Sequence, residues 1–228
     1  MYDLIGDIHG YAHELETLLQ QLGYHEVHGV YRNPQRRVIF LGDFIDRGPN
    51  IPRVIEIARS MVEHGQALAV MGNHEWNALA FHTPNRQHPG EFLRPHTDKN
   101  IHQHRATLDQ LSSRDLNAAL AWFRTLPMWL DLDGVRAVHA CWDEPSMQLL
   151  NEARDSSTII TDDFLHAASR EESPLFIALE TVLKGKEISL PVGVTFADKD
   201  GHKRSRMRAR WYADPTGQTY QSYALTNE

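Results

Sequence analysis

The chain has 228 residues, of which 41% are hydrophobic and 23% are charged, and these values are ordinary for one large globular domain with a full core. The formal net charge of −7 gives no electrostatic footprint for binding nucleic-acid polymers, and the single cysteine, Cys141, excludes a disulfide within the chain. The first residues lack the basic and apolar regions of a signal peptide, and no apolar run reaches transmembrane length. We therefore expect a cytoplasmic protein with no membrane partner.

The first predicted strand is followed by the block Gly-Asp-Ile-His-Gly at residues 6–10, which places Asp7 and His9 just after the strand. Residues 12–22 carry leucines at helical spacing, which predicts an amphipathic helix that stops at Gly23. Residues 24–36 are polar and predict a loop, with a short hairpin as one interpretation.

The second predicted strand, residues 38–41, is a short apolar run of the kind found in buried parallel sheets. Asp43, Asp46 and Arg47 follow it within a few residues. Ligands bind at strand ends in α/β sheets, so this charged cluster indicates a site; the alternative is a turn in which Asp43 caps a helix. A second helix is predicted over residues 50–64, with Asn50 as its N-cap.

A third apolar run, residues 68–71, ends in Gly-Asn-His-Glu at residues 72–75. The β-α-β-α-β order predicts a parallel core, in which equivalent strand ends lie side by side. The side chains expected at this edge are Asp7, His9, Asp43, Asn73 and His74. Mixed carboxylate, imidazole and amide ligands favour Mn, Fe or Zn over a thiolate-bound metal.

Residues 82–104 contain three prolines and the histidines His82, His88, His96, His102 and His104. We expect a solvated lid over the site here, and metal binding by these histidines is the alternative. A helix over residues 114–125 follows. Residues 129–139 then predict a hairpin around an Asp-Gly turn, with His139 at the end of its second strand.

The remaining residues predict helices over 162–170 and 174–184, and then a hairpin that turns at 199–201. We expect the segments 82–126 and 143–185 to form a lid or cap. Arg206, Arg208 and Arg210 alternate, so on a strand they would share one face. Arginines are well suited to binding phosphate. The alternative is a solvated edge strand whose basic side chains prevent other strands from pairing with it.

The three Gly-Asp or Gly-Asn blocks resemble the signature motifs of the calcineurin-like metallophosphoesterases. More narrowly, they resemble the phosphoprotein phosphatase branch, which contains Ser/Thr protein phosphatases and bacterial bis(5'-nucleosyl)-tetraphosphatases. The resemblance covers residues 6–75 and His139. It implies an α/β fold in which a metallophosphoesterase-type β-sandwich is flanked by helices and carries a helical or loop cap.

The resemblance also implies a centre of two divalent metal ions, with Mn expected and Fe or Zn as alternatives. Asp7, His9 and Asp43 would hold one ion, and Asp43, Asn73 and His139 would hold the second. A hydroxide that bridges the ions would attack phosphorus in line. His74 would protonate the leaving oxygen, Asp46 would orient His74, and Arg47 would neutralise a phosphate oxygen.

Several alternatives stay open at this point. The substrate would be a nucleotide polyphosphate or a phosphomonoester, or else a phosphoprotein; a catalytically impaired phosphate-binding module is a further possibility. The family also supplies a late metal-ligand histidine, whereas His166 and His202 do not follow an apolar strand. We therefore expect a single domain over 1–228 that lacks the final strand and its histidine. The oligomeric state is left open.

Overall fold

A computed structural model describes residues 1–154, 158–197 and 203–225 of the chain as a mixed arrangement of helices and small sheets. The strands in chain order are β1 (Tyr2–Ile5), β2 (His25–Val27), β3 (Val30–Arg32), β4 (Arg37–Phe40), β5 (Ala67–Ala69), β6 (Trp129–Leu132), β7 (Val135–Val138), β8 (Glu187–Ser189), β9 (Phe196–Ala197), β10 (Lys203–Arg204) and β11 (Arg206–Arg208). The helices are α1 (Ala12–Gln21), α2 (Ile51–Glu63), α3 (Asn73–His82), α4 (Asp98–Gln110), α5 (Ser113–Phe123), α6 (Glu144–Ala153), α7 (Asp162–Ala168), α8 (Pro174–Lys184) and α9 (Tyr220–Tyr223).

The central sheet is parallel and has the strand order β1-β4-β5. Its middle strand is apolar without alternation because Val38, Ile39 and Phe40 are all fully buried. The α/β class and the parallel core are therefore confirmed. In the described residues, the expected sandwich is present only as this three-stranded sheet and four two-stranded sheets.

The first two helices begin and end close to the predicted positions. The side chain of Asn50 accepts a hydrogen bond from the Arg53 N–H and caps α2, as the sequence predicts. The buried face of α2 is formed by Ile51, Val54, Ile57, Ala58 and Met61. Both helices contribute to one continuous hydrophobic core with the central sheet.

The predicted hairpins are also present. Strands β2 and β3 pair across a turn at His28 and Gly29, and β6 pairs with β7 across Asp133 and Gly134. Strands β9 and β10 pair as expected, while the predicted turn at 199–201 lies outside the described residues. Strand β11 pairs antiparallel with β8 and ends at Arg208, so Arg210, which was predicted to share this strand, lies beyond it.

The segments expected to form a lid or cap contain helices that each place one face in the hydrophobic core, while most of their residues are exposed or half-buried. The prediction of a solvated loop over 82–104 is wrong for residues 98–104, which belong to helix α4, and His104 is buried. Helix α5 buries Trp122 and Phe123, and α8 buries Leu179 and Val182 in the same hydrophobic cluster. Helices α3 and α6 were not predicted. No helix among the described residues has both the length and the apolar character needed to span a membrane.

Candidate active site

The three motif loops meet at the C-terminal edge of the central sheet. The parallel register places Ile5 opposite Phe40, and Phe40 opposite Ala69, so the loops that follow these residues emerge side by side. The His9 N–H donates to the Asp43 carbonyl at 2.8 Å, and the Gly10 N–H donates to the Phe44 carbonyl at 2.9 Å. The structure therefore brings together the side chains that the sequence places at this edge.

Two glycines allow the second and third loops to touch. A Cβ atom on Gly42, whose φ is 91°, would collide with the backbone of Gly72. A Cβ atom on Gly72 would collide with the carboxylate of Asp43. Close approach between the two loops therefore requires the glycines that begin the second and third blocks.

The loops hold several side chains on strained backbone. Positive φ values are rare for residues other than glycine and cost on the order of 1–3 kcal/mol each. At this edge they occur at Asp7 (52°), His9 (47°), Asp43 (57°), Asp46 (67°) and Arg47 (69°). Strain concentrated on five polar residues at one sheet edge points to a functional site.

The side chain of Glu75 links the second and third loops by hydrogen bonds. Its side chain is fully buried and accepts the N–H groups of Asp43 and Phe44, both at 2.8 Å, and that of Gly72 at 3.0 Å. Burial, together with the nearby carboxylate of Asp43, raises the pKa of Glu75 to about 7. Glu75 is the last residue of the third block, but the sequence alone does not predict this role for it.

Asp43 is the centre of the candidate metal ligands. Its Oδ2 atom lies 3.6 Å from Nε2 of His9, 3.6 Å from Nε2 of His139 and 3.9 Å from Nε2 of His74. Ligand atoms lie within 4.8 Å of one another in two groups, His9–Asp43–His74 and Asp7–Asp43–His139. Asp43 belongs to both groups, and Asn73 Oδ1 lies 3.1 Å from His139 Nε2.

The histidine tautomers fit a bound cation. His9 Nδ1 lies 2.8 Å from the Ile45 carbonyl, and His139 Nδ1 lies 2.6 Å from the Leu41 carbonyl. Because a carbonyl only accepts, each Nδ1 carries the hydrogen and each Nε2 presents a lone pair towards Asp43. Burial lowers the pKa of His9, which favours the neutral ligand form. Lone pairs and a carboxylate that converge without protons between them fit divalent metal ions.

His74 and Asp46 form a close pair beside these ligands. His74 Nδ1 lies 2.6 Å from Asp46 Oδ2. Burial favours a lower pKa for His74, but its hydrogen bond to Asp46 and the charge of Asp43 outweigh this effect and raise the pKa. Burial alone would raise the pKa of Asp46, but hydrogen bonds from His104 and His74 hold it well below its usual range. This pair can therefore hold a proton at His74.

A basic cavity of about 1030 Å³ opens in front of the pair. Arg47, Asn73 and His74 line its inner end, while α4, α8 and the late strands supply the other walls. The remaining positively charged residues that line it are Arg94, Lys99, Arg105, Lys184, Arg204 and Arg208. Among its described lining residues, Asp109 is the one acid, so the cavity suits an anionic ligand.

The three late arginines occupy different surroundings. Arg208 lines the cavity. Arg206 is exposed and its Nε lies 3.5 Å from a carboxylate oxygen of Glu187, and Arg210 lies 5.9 Å from the centre of the Tyr212 ring. Neither of these two is among the described residues that line the cavity. The sequence does not predict a role for Arg94, Lys184 or Arg204, because they come from separate elements without a shared motif.

Comparison with known proteins agrees with this geometry. A family model described as calcineurin-like phosphoesterase matches residues 2–182. The bis(5'-nucleosyl)-tetraphosphatase PrpE (asymmetrical) of Oceanobacillus iheyensis is 42% identical over 73 residues, which are 32% of this chain and 29% of that protein. The protein of the same name from Bacillus thuringiensis is 45% identical over 75 residues, which are 32% of this chain and 30% of that protein.

These matches differ in what they support. The aligned segment spans less than a third of the length of either curated relative. A solved cold-active protein tyrosine phosphatase superposes with a TM-score of 0.51 at 15% identity, over 80% of this chain and 54% of that chain. Because the identity is low, this structure supports the fold alone.

Proposed function

The chain belongs to the calcineurin-like phosphoesterase family, and from this premise we propose that it is a metal-dependent phosphoesterase that hydrolyses phosphate esters or anhydrides. The observation that carries the proposal is the position of Asp43. Its carboxylate belongs to two groups of ligand atoms and lies beside the His74–Asp46 pair. A site for two cations, a proton donor and a basic cavity are the parts that phosphoryl transfer requires.

The proposed metal centre uses five side chains. Asp7, His9 and Asp43 hold one divalent ion, and Asp43, Asn73 and His139 hold the second; Mn is the first candidate, and Fe and Zn are the alternatives. Divalent ions held there would supply an activated water and withdraw charge from the phosphoryl oxygens. In the structure Asp7 is grouped with His139 and His74 is grouped with His9, so the division of these side chains between the two ions is part of the proposal.

His74 is the proposed proton donor to the leaving oxygen. Its Nδ1–H points to Asp46, which leaves Nε2 on the side of Asp43 and the cavity. Burial favours a lower pKa for His74, but its hydrogen bond to Asp46 raises the pKa and so favours a proton on the ring. Asp46 keeps the ring in one orientation and stabilises its protonated form.

Arg47 and the basic cavity are proposed to bind the phosphate groups of the substrate. Arg47 lines the inner end of the cavity beside His74, whereas Arg208 lies on the wall formed by the late strands. A phosphomonoester needs the inner end alone, because it carries a single phosphoryl group. Positive charge along the other walls favours a nucleotide polyphosphate, and the name of the curated relatives supports the same substrate class.

The proposal is tested by loading the purified protein with Mn²⁺ and measuring turnover. The substrates are p-nitrophenyl phosphate, diadenosine tetraphosphate and a phosphopeptide. We expect the highest kcat/KM with diadenosine tetraphosphate. If the protein binds Mn²⁺ and the phosphorylated compounds but turns over none of them, it is a binding module and the proposed activity is wrong. A preference for the phosphopeptide would instead identify a protein phosphatase.

A further inference from the structure

Asp46 lies between two histidines, and the proposed mechanism uses only one of them. Its Oδ2 atom faces His74 Nδ1 at 2.6 Å. Its Oδ1 atom faces His104 Nδ1 at 2.9 Å and Thr107 Oγ1 at 2.5 Å. Both oxygens of this buried carboxylate are therefore engaged, one towards the site and the other towards helix α4.

His104 also contacts a second, half-buried histidine. Its Nε2 atom lies 3.2 Å from Nε2 of His82, the last residue of α3. Burial, together with His104 and His96, lowers the pKa of His82 to about 4, so His82 is neutral at pH 7. The Phe81 ring also packs against His104, with ring centres 5.1 Å apart.

The hydrogen bonds that link His82, His104 and Asp46 all run in one direction, from donor to acceptor. Asp46 is ionised, so His104 must donate its Nδ1–H to the carboxylate. When His104 is neutral, its Nε2 atom is an acceptor, and His82 donates its Nε2–H to that atom. Each imidazole thus points its N–H towards Asp46, and the chain ends at the carboxylate that holds His74.

We infer that His104 is a positioning residue for the proposed proton donor: it fixes the Asp46 carboxylate, and Asp46 in turn aligns His74. This inference rests on the proposed function. Without the His104 bond, Thr107 alone holds Oδ1, and the orientation of the carboxylate is less firmly fixed. His74 then loses the fixed partner that sets its orientation and stabilises its charged form.

Matched substitutions separate the two ends of the His104 ring. In His104→Asn the amide nitrogen lies near the position of Nδ1, so the bond to Asp46 is kept and the contact with His82 is lost. In His104→Gln the amide lies near the position of Nε2, so the contact with His82 is kept and the bond to Asp46 is lost. His104→Leu fills the space without either bond. His88→Asn is the control, because His88 is exposed and its side chain takes no part in the bonds that link His82, His104 and Asp46.

The kinetic test compares a good leaving group with a poor one, using p-nitrophenyl phosphate and an alkyl phosphate with the Mn²⁺-loaded protein. We expect His104→Leu and His104→Gln to lower kcat for the alkyl phosphate about tenfold more than for p-nitrophenyl phosphate. His104→Asn should stay within about threefold of the unmodified protein on both substrates. Equal losses on both substrates, or a Gln variant more active than the Asn variant, would overturn the inference.

Imidazole ¹⁵N NMR on the metal-free protein supplies a readout that does not depend on turnover. We expect the Nδ1–H form at His74 and a shifted or exchange-broadened His74 Nδ1–H signal in His104→Leu, with the signal retained in His104→Asn. An unchanged His74 signal in His104→Leu would overturn the inference whatever the activity. If the signals behave as expected but no substrate is turned over, the proposed function fails and the positioning role of His104 stands.

Discussion

The metal-ligand edge and the basic cavity are two parts of one site that are built in different ways. At the edge, Asp43 and His9 are buried, their backbone is strained, and Glu75 ties two of the loops together. In the cavity, long side chains such as Lys99 and Arg204 extend from exposed positions on separate elements. The comparison indicates that local sequence motifs supply the proposed chemistry, whereas long side chains from distant segments form the surface proposed to bind the substrate.

Replacing Asp43 by Asn gives the largest expected effect, because this carboxylate is shared by both ligand groups. The variant should lose at least one ion and lower kcat/KM on the order of a thousandfold or more, since metal ions supply several kcal/mol of transition-state stabilisation. Metal analysis and turnover of the Mn²⁺-treated protein measure both effects. Asp131→Asn on the exposed β6–β7 hairpin is the control. Two ions retained at unchanged affinity would show that Asp43 is not a shared ligand.

Replacing His74 by Asn separates proton donation from metal binding at the same edge. The variant should keep its ions but lose 10²–10⁴-fold in kcat, which is typical of a lost general acid. The loss should be smaller for p-nitrophenyl phosphate, whose leaving group needs less protonation. Equal losses across leaving groups of different pKa would indicate that His74 has a structural role instead.

The same contrast explains what the sequence could predict. The ligands Asp7, Asp43 and Asn73 each follow a glycine at the end of an apolar strand, so the parallel sheet alone brings them together. His104 and Thr107 bind Asp46 from 58 and 61 residues away along the chain, and no local sequence pattern predicts such contacts. Helix α4 was missed because its surface is polar and three prolines and several histidines precede it, which favoured a loop.

The cavity side of the comparison is tested by replacing Arg208 with Ala. Removing charge from the wall should raise KM for diadenosine tetraphosphate about tenfold to a hundredfold, because a lost charge-assisted hydrogen bond costs about 1.5–3 kcal/mol. The KM for p-nitrophenyl phosphate should change much less, since its phosphate is bound at the inner end. Uniform binding is lost, so kcat should stay nearly constant.

Arg206→Ala is the matched control for this prediction. Arg206 lies two residues away on the same strand, but its guanidinium faces Glu187 and it does not line the cavity in the described structure. Its replacement should leave both KM values within about twofold, as expected for an exposed ion pair. If the Arg206 and Arg208 variants respond alike and weakly, the basic strand guards a sheet edge and does not select polyphosphates.

The smallest expected effect is on stability, and it tests whether the rigid part of the site extends to the contact between His82 of α3 and His104 of α4. The pKa of His82 is about 4 in the folded protein, mainly because of burial, and about 6.5 in an unfolded chain. Between these values the unfolded state binds more protons, so the free energy of unfolding falls as the pH drops from 6.5 towards 4. From pH 7.5 to 5.5 the expected contribution of His82 is a loss of about 1 kcal/mol.

Urea unfolding of the unmodified protein and of His82→Gln at both pH values isolates this contribution. The glutamine amide keeps a polar group near the His104 Nε2 atom but does not titrate, so the variant should lose about 1 kcal/mol less stability on acidification. His88→Gln should match the unmodified protein, because exposed His88 has similar surroundings in both states. If His82→Gln shows the full pH dependence, His82 is accessible to protons when folded. The α3–α4 contact would then resemble the adaptable cavity wall more than the fixed metal-ligand edge.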